Sequence, residues 1–146
     1  MARTIDYGID LGTTNSCIAR WENSSVVVFQ NNDQMNVTPS AVHILKSGRT
    51  IVGRRAYSAL LTDSENVAVE FKRWMGQKDM RLFPATKREL SAEDLSAEVI
   101  RALREDVRRQ RGEEVRTAVI TVPAAFGALQ CEATARAAQM AGLVES

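Results

Sequence analysis

Apolar and polar residues alternate from the start of the chain. Ile5, Tyr7 and Ile9 are interleaved with Asp6, Gly8 and Asp10, the two-residue period of a strand. Gly12-Thr13-Thr14-Asn15-Ser16 is small and polar and predicts a turn. Residues 17–21 resume an extended apolar pattern, and residues 22–25 make a second turn. Val26-Val27-Val28-Phe29 is β-branched and predicts a third strand. Three short strands joined by tight turns predict an antiparallel meander. Asn31-Asn32-Asp33 then breaks the pattern. Pro39 opens a strand through residues 41–45, Ser47-Gly48 turns it, and residues 50–53 return as its partner. Residues 54–61 have a helical pattern. Val67 to Met75 is apolar with Lys72 and Arg73 set inside it, and Gly76 stops it. Residues 77–90 are mixed and charged and contain Pro84, which predicts a loop.

The second half reads more regularly. Ser91-Ala92-Glu93-Asp94 has the form of a capping box, in which a hydroxyl and an acid satisfy free backbone N–H groups. Leu95, Val99, Leu103 and Val107 recur every four residues, opposite Arg101, Arg104, Glu105, Arg108 and Arg109. That pattern predicts an amphipathic helix, with Gly112 as its terminator. Residues 117–122 predict a buried strand ending at Pro123. A second helix is expected over residues 128–141, closed by Gly142. Its Leu129, Ala133, Ala137 and Met140 form a face of mostly small residues. There is no internal repeat and no low-complexity segment.

Composition removes several function classes. The 146 residues are one ordinary domain's worth, and 45% hydrophobic with 25% charged residues reads as soluble and globular. A net charge of +1 argues against a nucleic-acid binder. The arginine-rich face from Arg101 to Arg111 is diluted by Glu105, Asp106, Glu113 and Glu114 and reads as solvated. Cys17 and Cys131, with the single His43, are too few for a zinc site and read as free, buried or half-buried thiols in a reducing compartment. No signal core or membrane-length apolar run is present, so no membrane partner is expected and a cytoplasmic location is. Trp21 and Trp74 read as packing residues, and His43 as a satisfied core or edge histidine.

The stretch with the most chemistry is Ile9-Asp10-Leu11-Gly12-Thr13-Thr14-Asn15-Ser16. A strand delivers an acid to its end, then turns at a glycine whose missing Cβ lets backbone approach a ligand. Successive N–H groups in such a turn can line an anion-binding concavity, and Thr13 and Thr14 add hydroxyls. A carboxylate beside a phosphate cradle makes sense when a divalent cation sits between them. Asp10 is therefore assigned to magnesium, through water. The same residues also suit an ordinary hairpin turn, and the loop alone does not choose between the two. It is not a Walker loop, because the Gly-Lys-Ser/Thr ending is absent.

Gly8 to Ser16 resembles the first phosphate loop of DnaK-like seventy-kilodalton heat-shock chaperones. Related loops occur in sugar kinases, actin and bacterial cell-shape proteins. Three more segments are similar to those chaperones in the same order: Val37-Thr38-Pro39-Ser40, Phe71-Lys72-Arg73-Trp74-Met75-Gly76, and Val119-Ile120-Thr121-Val122-Pro123-Ala124-Ala125-Phe126. The resemblance implies an α/β fold, the first lobe of an actin-like (ribonuclease-H-like) ATPase, with a mixed sheet containing the meander and incomplete as given. Residues 1–38 and 113–146 would form part of the base subdomain, and residues 39–112 an inserted upper subdomain. It implies that Gly12, Thr13, Thr14 and Asn15 contact the phosphates of ATP or ADP. Lys72 would approach the γ-phosphate and help orient the attacking water, Arg73 would support the fold, and Pro123 would belong to an allosteric switch. Without the resemblance, Lys72 reads as an exposed helix lysine.

The sequence departs from the family in places. Residues 77–90 are shorter than the family's counterpart, as in the trimmed bacterial Hsc-type members. Val37 replaces a hydroxyl, the relatives' Tyr, Asn and Asp are Ala125, Gly127 and Ala128, and their arginine is Cys131. The family's second phosphate loop, adenosine segment, catalytic carboxylates and peptide-binding domain are not in this sequence. The expected function is thus an N-terminal piece of a chaperone ATPase domain, holding nucleotide phosphates with magnesium. Clients and co-chaperones would be engaged only through the full-length protein, and the piece alone would be inactive in hydrolysis. One alternative is a non-catalytic association module, self-associating through the Ala-rich face of residues 128–141 and the end of strand 117–122. The other is a sugar-kinase-like fragment, for which no sugar-contacting segment is visible.

Overall fold

The computed structural model describes residues 6–144. The expected strand start at Ile5 and the first residues read for a signal core lie outside the described residues.

Alternation in the first thirty residues becomes the meander. Strands β1 (Tyr7–Leu11), β2 (Asn15–Glu22) and β3 (Ser25–Val28) pair antiparallel, with Ile9 opposite Ile18 and Trp21 opposite Val26. Asn23 and Ser24 join β2 to β3 with φ of 47° and 65°, the left-handed backbone a tight two-residue hairpin requires. The first turn is shorter than expected. Asn15 and Ser16 already belong to β2, because β4 (Thr38–Pro39) pairs with them and draws them into the sheet. A parallel strand, β10 (Val119–Thr121), adds on the other side of β1, giving the order β10-β1-β2-β3 in a mixed sheet.

The middle of the chain makes its own sheet. β5 (Ala41–Ile44) is flanked antiparallel by β6 (Thr50–Val52) and β7 (Val67–Val69). Helix α1 (Arg54–Ser58) tightens into a 3-10 turn at Ala59–Leu61 within the expected helical stretch. His43 is buried on β5, its Nε2 lies 2.9 Å from Asp63 Oδ2, and it is a satisfied histidine as expected.

Residues 77–90 are not the loop that charge and Pro84 predict. They form a hairpin of β8 (Met80–Phe83) and β9 (Arg88–Ser91). The register puts Arg81, Phe83, Arg88 and Leu90 on one face, of which Phe83 and Leu90 are buried. Arg81 stays on that face because its Nη2 donates to the carbonyls of Ser64, Glu65 and Val67 and its guanidinium lies 5.8 Å from the Phe83 ring centroid. Two arginines at inward positions erase the apolar alternation that would have announced the strands.

Helix α2 (Ala92–Arg111) starts on the capping box read from sequence. Ser91 Oγ accepts from Asp94 N at 3.0 Å, and Asp94 Oδ2 accepts from Ser91 N at 2.9 Å. It ends at Gly112, whose φ of 66° is the left-handed C-terminal conformation. Leu95, Val99, Ile100, Leu103 and Val107 are buried between the first sheet and helix α3 (Ala128–Met140). Ala133, Ala137 and Ala138 are buried where α3 packs on α2, so the alanines of the expected face are used inside the molecule, while its Leu129 and Met140 stay exposed. Arg104 fastens the helix ends, its Nε donating to the Val115 carbonyl at 2.7 Å and its Nη1 to the Ala141 carbonyl at 2.5 Å.

α2 covers only one side of the first sheet. By register, Val119, Gly8, Ala19, Trp21, Val26 and Val28 share the opposite side. That side is open: Trp21 is 59% exposed, Val26 61% and Val119 51%. This corrects two expectations, since Trp21 is not a packing residue and the strand before Pro123 is an exposed edge rather than buried. Trp74 does pack against the core. Cys17 is half-buried, but Cys131 is exposed. Below the sheet, Tyr7 donates its hydroxyl proton to Glu113. Burial first, and Glu113 second, push its pKa up to about 12. Among the described residues, no helix is long and apolar enough to cross a membrane.

Candidate functional site

The open end of β1 and the turn after it are built around Gly12. A Cβ there would lie 2.1 Å from the Asn15 carbonyl oxygen, so the chain folds back through space only glycine leaves free. The turn is held from behind by Ser40, which follows β4. Its Oγ donates to the Gly12 carbonyl at 2.8 Å and lies 2.8 Å from Ser16 Oγ, while its N–H donates to the Thr14 carbonyl at 2.8 Å. With their carbonyls tied back into the protein, Gly12 and Thr14 sit in a fixed turn whose outer side is free. Thr13 is half-buried and Thr14 is exposed. Asn15 is also exposed, but it stands on β2 past the turn, opposite Pro39.

Asp10 lies on the sheet's uncovered side, exposed, and accepts from Thr121 Oγ1 at 3.1 Å. Lys72 reaches the same place from the 3-10 turn Phe71–Trp74, which buried Phe71 anchors in the core. Its Nζ donates to the Leu11 carbonyl and lies 5.4 Å from the Phe126 ring centroid. Burial pushes its pKa down, and the nearby Asp10 charge opposes that shift. Lys72 is therefore a half-buried residue against the loop, not the exposed helix lysine that its sequence alone suggests.

Asp10, Gly12, Thr13, Thr14 and Lys72 thus converge, with Asn15 at the margin. Arg73 points away, toward exposed Glu70 at 3.3 Å. Pro123 is exposed on the segment after β10 and touches the cluster only indirectly, through the Phe126 N–H that donates to its carbonyl at 3.0 Å. A cavity of about 220 Å³ opens beside the loop, lined by Thr13, Thr14, Ser40, Tyr57, Leu60, Val69 and Glu70. Sequence reading did not single out Ser40 or Phe126, although both lie inside the motifs it quoted. A serine after Pro39 and an aromatic after Pro123 carried no sign that they meet the loop and Lys72.

The donor set suits a nucleotide's phosphates with magnesium. The turn offers backbone and hydroxyl donors, and Lys72 offers a positive charge. Among the described residues no three His, Cys, Asp or Glu side chains gather to cage a metal. A single accessible carboxylate fits magnesium, which keeps several waters and takes its other ligands from phosphate.

Three comparisons bear on these residues. The family profile described as Hsp70 protein matches residues 6–145. A protein named chaperone protein DnaK in Mesomycoplasma hyopneumoniae strain 232 is 43% identical over 144 residues, covering 98% of this chain and 23% of its own length. A chaperone protein dnaK of Guillardia theta is 35% identical over 158 residues, covering 93% of this chain and 25% of its own. The chain therefore spans about a quarter of the length of the curated relatives it matches.

Proposed function

The chain belongs to the Hsp70 family, and from that premise we propose that it forms the first wall of a nucleotide site, gripping the phosphates of ATP or ADP with magnesium. The observation that carries this reading is the Gly12 turn, closed too tightly for any side chain, with Lys72 laid against it. Gly12, Thr13 and Thr14 present donors to phosphate oxygens, and Asn15 adds an amide at the margin. Lys72 supplies fixed positive charge where the terminal phosphate lies and orients water toward it. Asp10 holds magnesium through water, and a bound magnesium neutralises charge on the phosphate oxygens. Because positioning and charge do most of the work in phosphoryl transfer, a chain with one wall of the site binds weakly and shows no measurable hydrolysis.

The reading extends to architecture and partners. Residues 1–38 and 113–146 form the base and residues 39–112 the inserted upper part. This is supported by one sheet built from both ends of the chain and another from its middle. ATP hydrolysis coupled to protein folding, clients, co-chaperones and the switch at Pro123 belong to a protein of the relatives' length. Two free cysteines, Cys17 and Cys131, support a reducing, cytoplasmic setting. The family rules against the sugar-kinase alternative.

Calorimetric titration with ADP and ATP plus magnesium tests the site. Weak binding is expected, dependent on magnesium and lost in Asp10→Asn. Binding indifferent to both would remove the role of Asp10, and no binding at all would remove the site.

One observation favours a second reading, association through the uncovered sheet side. A sheet face solvated by design alternates toward polar residues, whereas this one presents Trp21, Val26, Val28 and Val119. Light scattering over a concentration series is expected to show mass rising above the monomer, and Trp21→Lys to return it. A wild-type monomer at the highest concentration would exclude association through this face.

A further inference from the structure

We propose that Phe126 is a positioning residue for Lys72: its ring face holds the ammonium against the phosphate turn and joins that turn to the segment after Pro123. The proposal deepens the nucleotide-site reading and rests on it.

A lysine stem is long and freely rotating, and an ammonium in open solvent has no fixed place. Here Lys72 Nζ has one carbonyl partner, Leu11, and one aromatic partner, Phe126, at 5.4 Å from the ring centroid. An ammonium over a ring face is attracted by the ring's negative centre, the more so where water is excluded. Lys72 is half-buried beside that ring, so water is partly excluded there. Asp10 is the acidic group whose charge reaches it. The carbonyl and the ring together therefore define where the charge sits.

Phe126 is itself fixed. It packs against the core, and its N–H closes a turn on the Pro123 carbonyl at 3.0 Å. Next to it, Gly127 N–H donates to Gln130 Oε1 at 3.0 Å at the start of α3. A second contact runs in parallel. A Cβ on Gly76 would lie 3.2 Å from the Leu129 carbonyl carbon and oxygen, so the backbone after Lys72 presses on the first turn of α3. The segment carrying Lys72 and the segment carrying Phe126 thus touch at two points, which lie four residues apart on the first segment, at Lys72 and Gly76.

The test uses the full chain labelled with 13C at lysine, where only four lysines contribute signals and Lys72→Ala identifies one of them. Ring current is expected to move the Lys72 ε-methylene signal upfield in the wild type. Phe126→Tyr keeps a ring and should keep the shift, while Phe126→Leu, apolar but without a ring, should lose it. ATP affinity should follow, falling roughly 2- to 30-fold in Phe126→Leu and little in Phe126→Tyr. In a Lys72→Ala background Phe126→Leu should cost nothing more. An unshifted wild-type signal, equal losses in the leucine and tyrosine variants, or losses that add to Lys72→Ala would overturn the proposal. A shifted signal in a chain that binds no nucleotide would instead overturn the nucleotide reading, leaving the contact without the role.

Discussion

Gly12→Ala is expected to abolish nucleotide binding and to lower the stability of the chain at the same time. The added methyl would stand 2.1 Å from the Asn15 carbonyl oxygen, well inside contact distance, and the obstacle is backbone rather than a movable side chain. The turn cannot open easily, because Ser40 holds the Gly12 carbonyl through Oγ and the Thr14 carbonyl through N–H. Relief must come from displacing the turn, and with it the donors of Thr13 and Thr14. Forcing a methyl into closed space typically costs about 1–3 kcal/mol. Calorimetry should find no heat with ATP, and urea unfolding should show an earlier midpoint. An alanine variant that binds ATP like the wild type would mean that the turn, as folded here, is not where phosphate is held.

Phe83→Ala should strongly destabilise the chain. The ring is fully buried, and truncating such a residue costs about 3–5 kcal/mol, a large share of the 5–15 kcal/mol that holds a typical domain folded. Arg81 would lose its ring partner as well and be left with the carbonyls of Ser64, Glu65 and Val67. Phe83→Leu, which refills most of the space, should recover most of the loss. Urea unfolding followed by tryptophan fluorescence reads both. A cost below about 1 kcal/mol would show that the hairpin is a loose surface flap.

That same hairpin marks where sequence reading stopped. Apolar alternation announces a strand only if the inward positions are apolar, and here Arg81 and Arg88 occupy two of them. Helix α2 was legible because each of its signals is local: Ser91 and Asp94 cap one end, Gly112 the other, and the apolar stripe lies between. The Gly12 turn was legible for the same reason. What pattern could not supply is which distant segments meet. Ala133 and Ala137 look equally suited to a partner molecule and to α2, and only the packing decides for α2. The exposure of Trp21 follows from α2 covering a single side of the sheet, a fact of topology that no window of residues contains. Ser40 and Phe126 reach the site across long stretches of chain, so their part in it emerges only when the loop, Lys72 and the Pro123 turn are seen together.

The pairing of β10 with β1 bears on how the chain comes to be folded at all. Asp10 and Thr121, joined across these parallel strands, are separated by 111 residues. At the usual pace of synthesis, Thr121 is made roughly 6–22 s after Asp10. Through that interval the meander can close locally, but one edge of β1 waits without its neighbour. Such distant pairing is the slow kind, since a long loop must be closed before any contact rewards it. Asp10 thus stands on a strand that gains its second neighbour only after the whole intervening stretch of chain has been made.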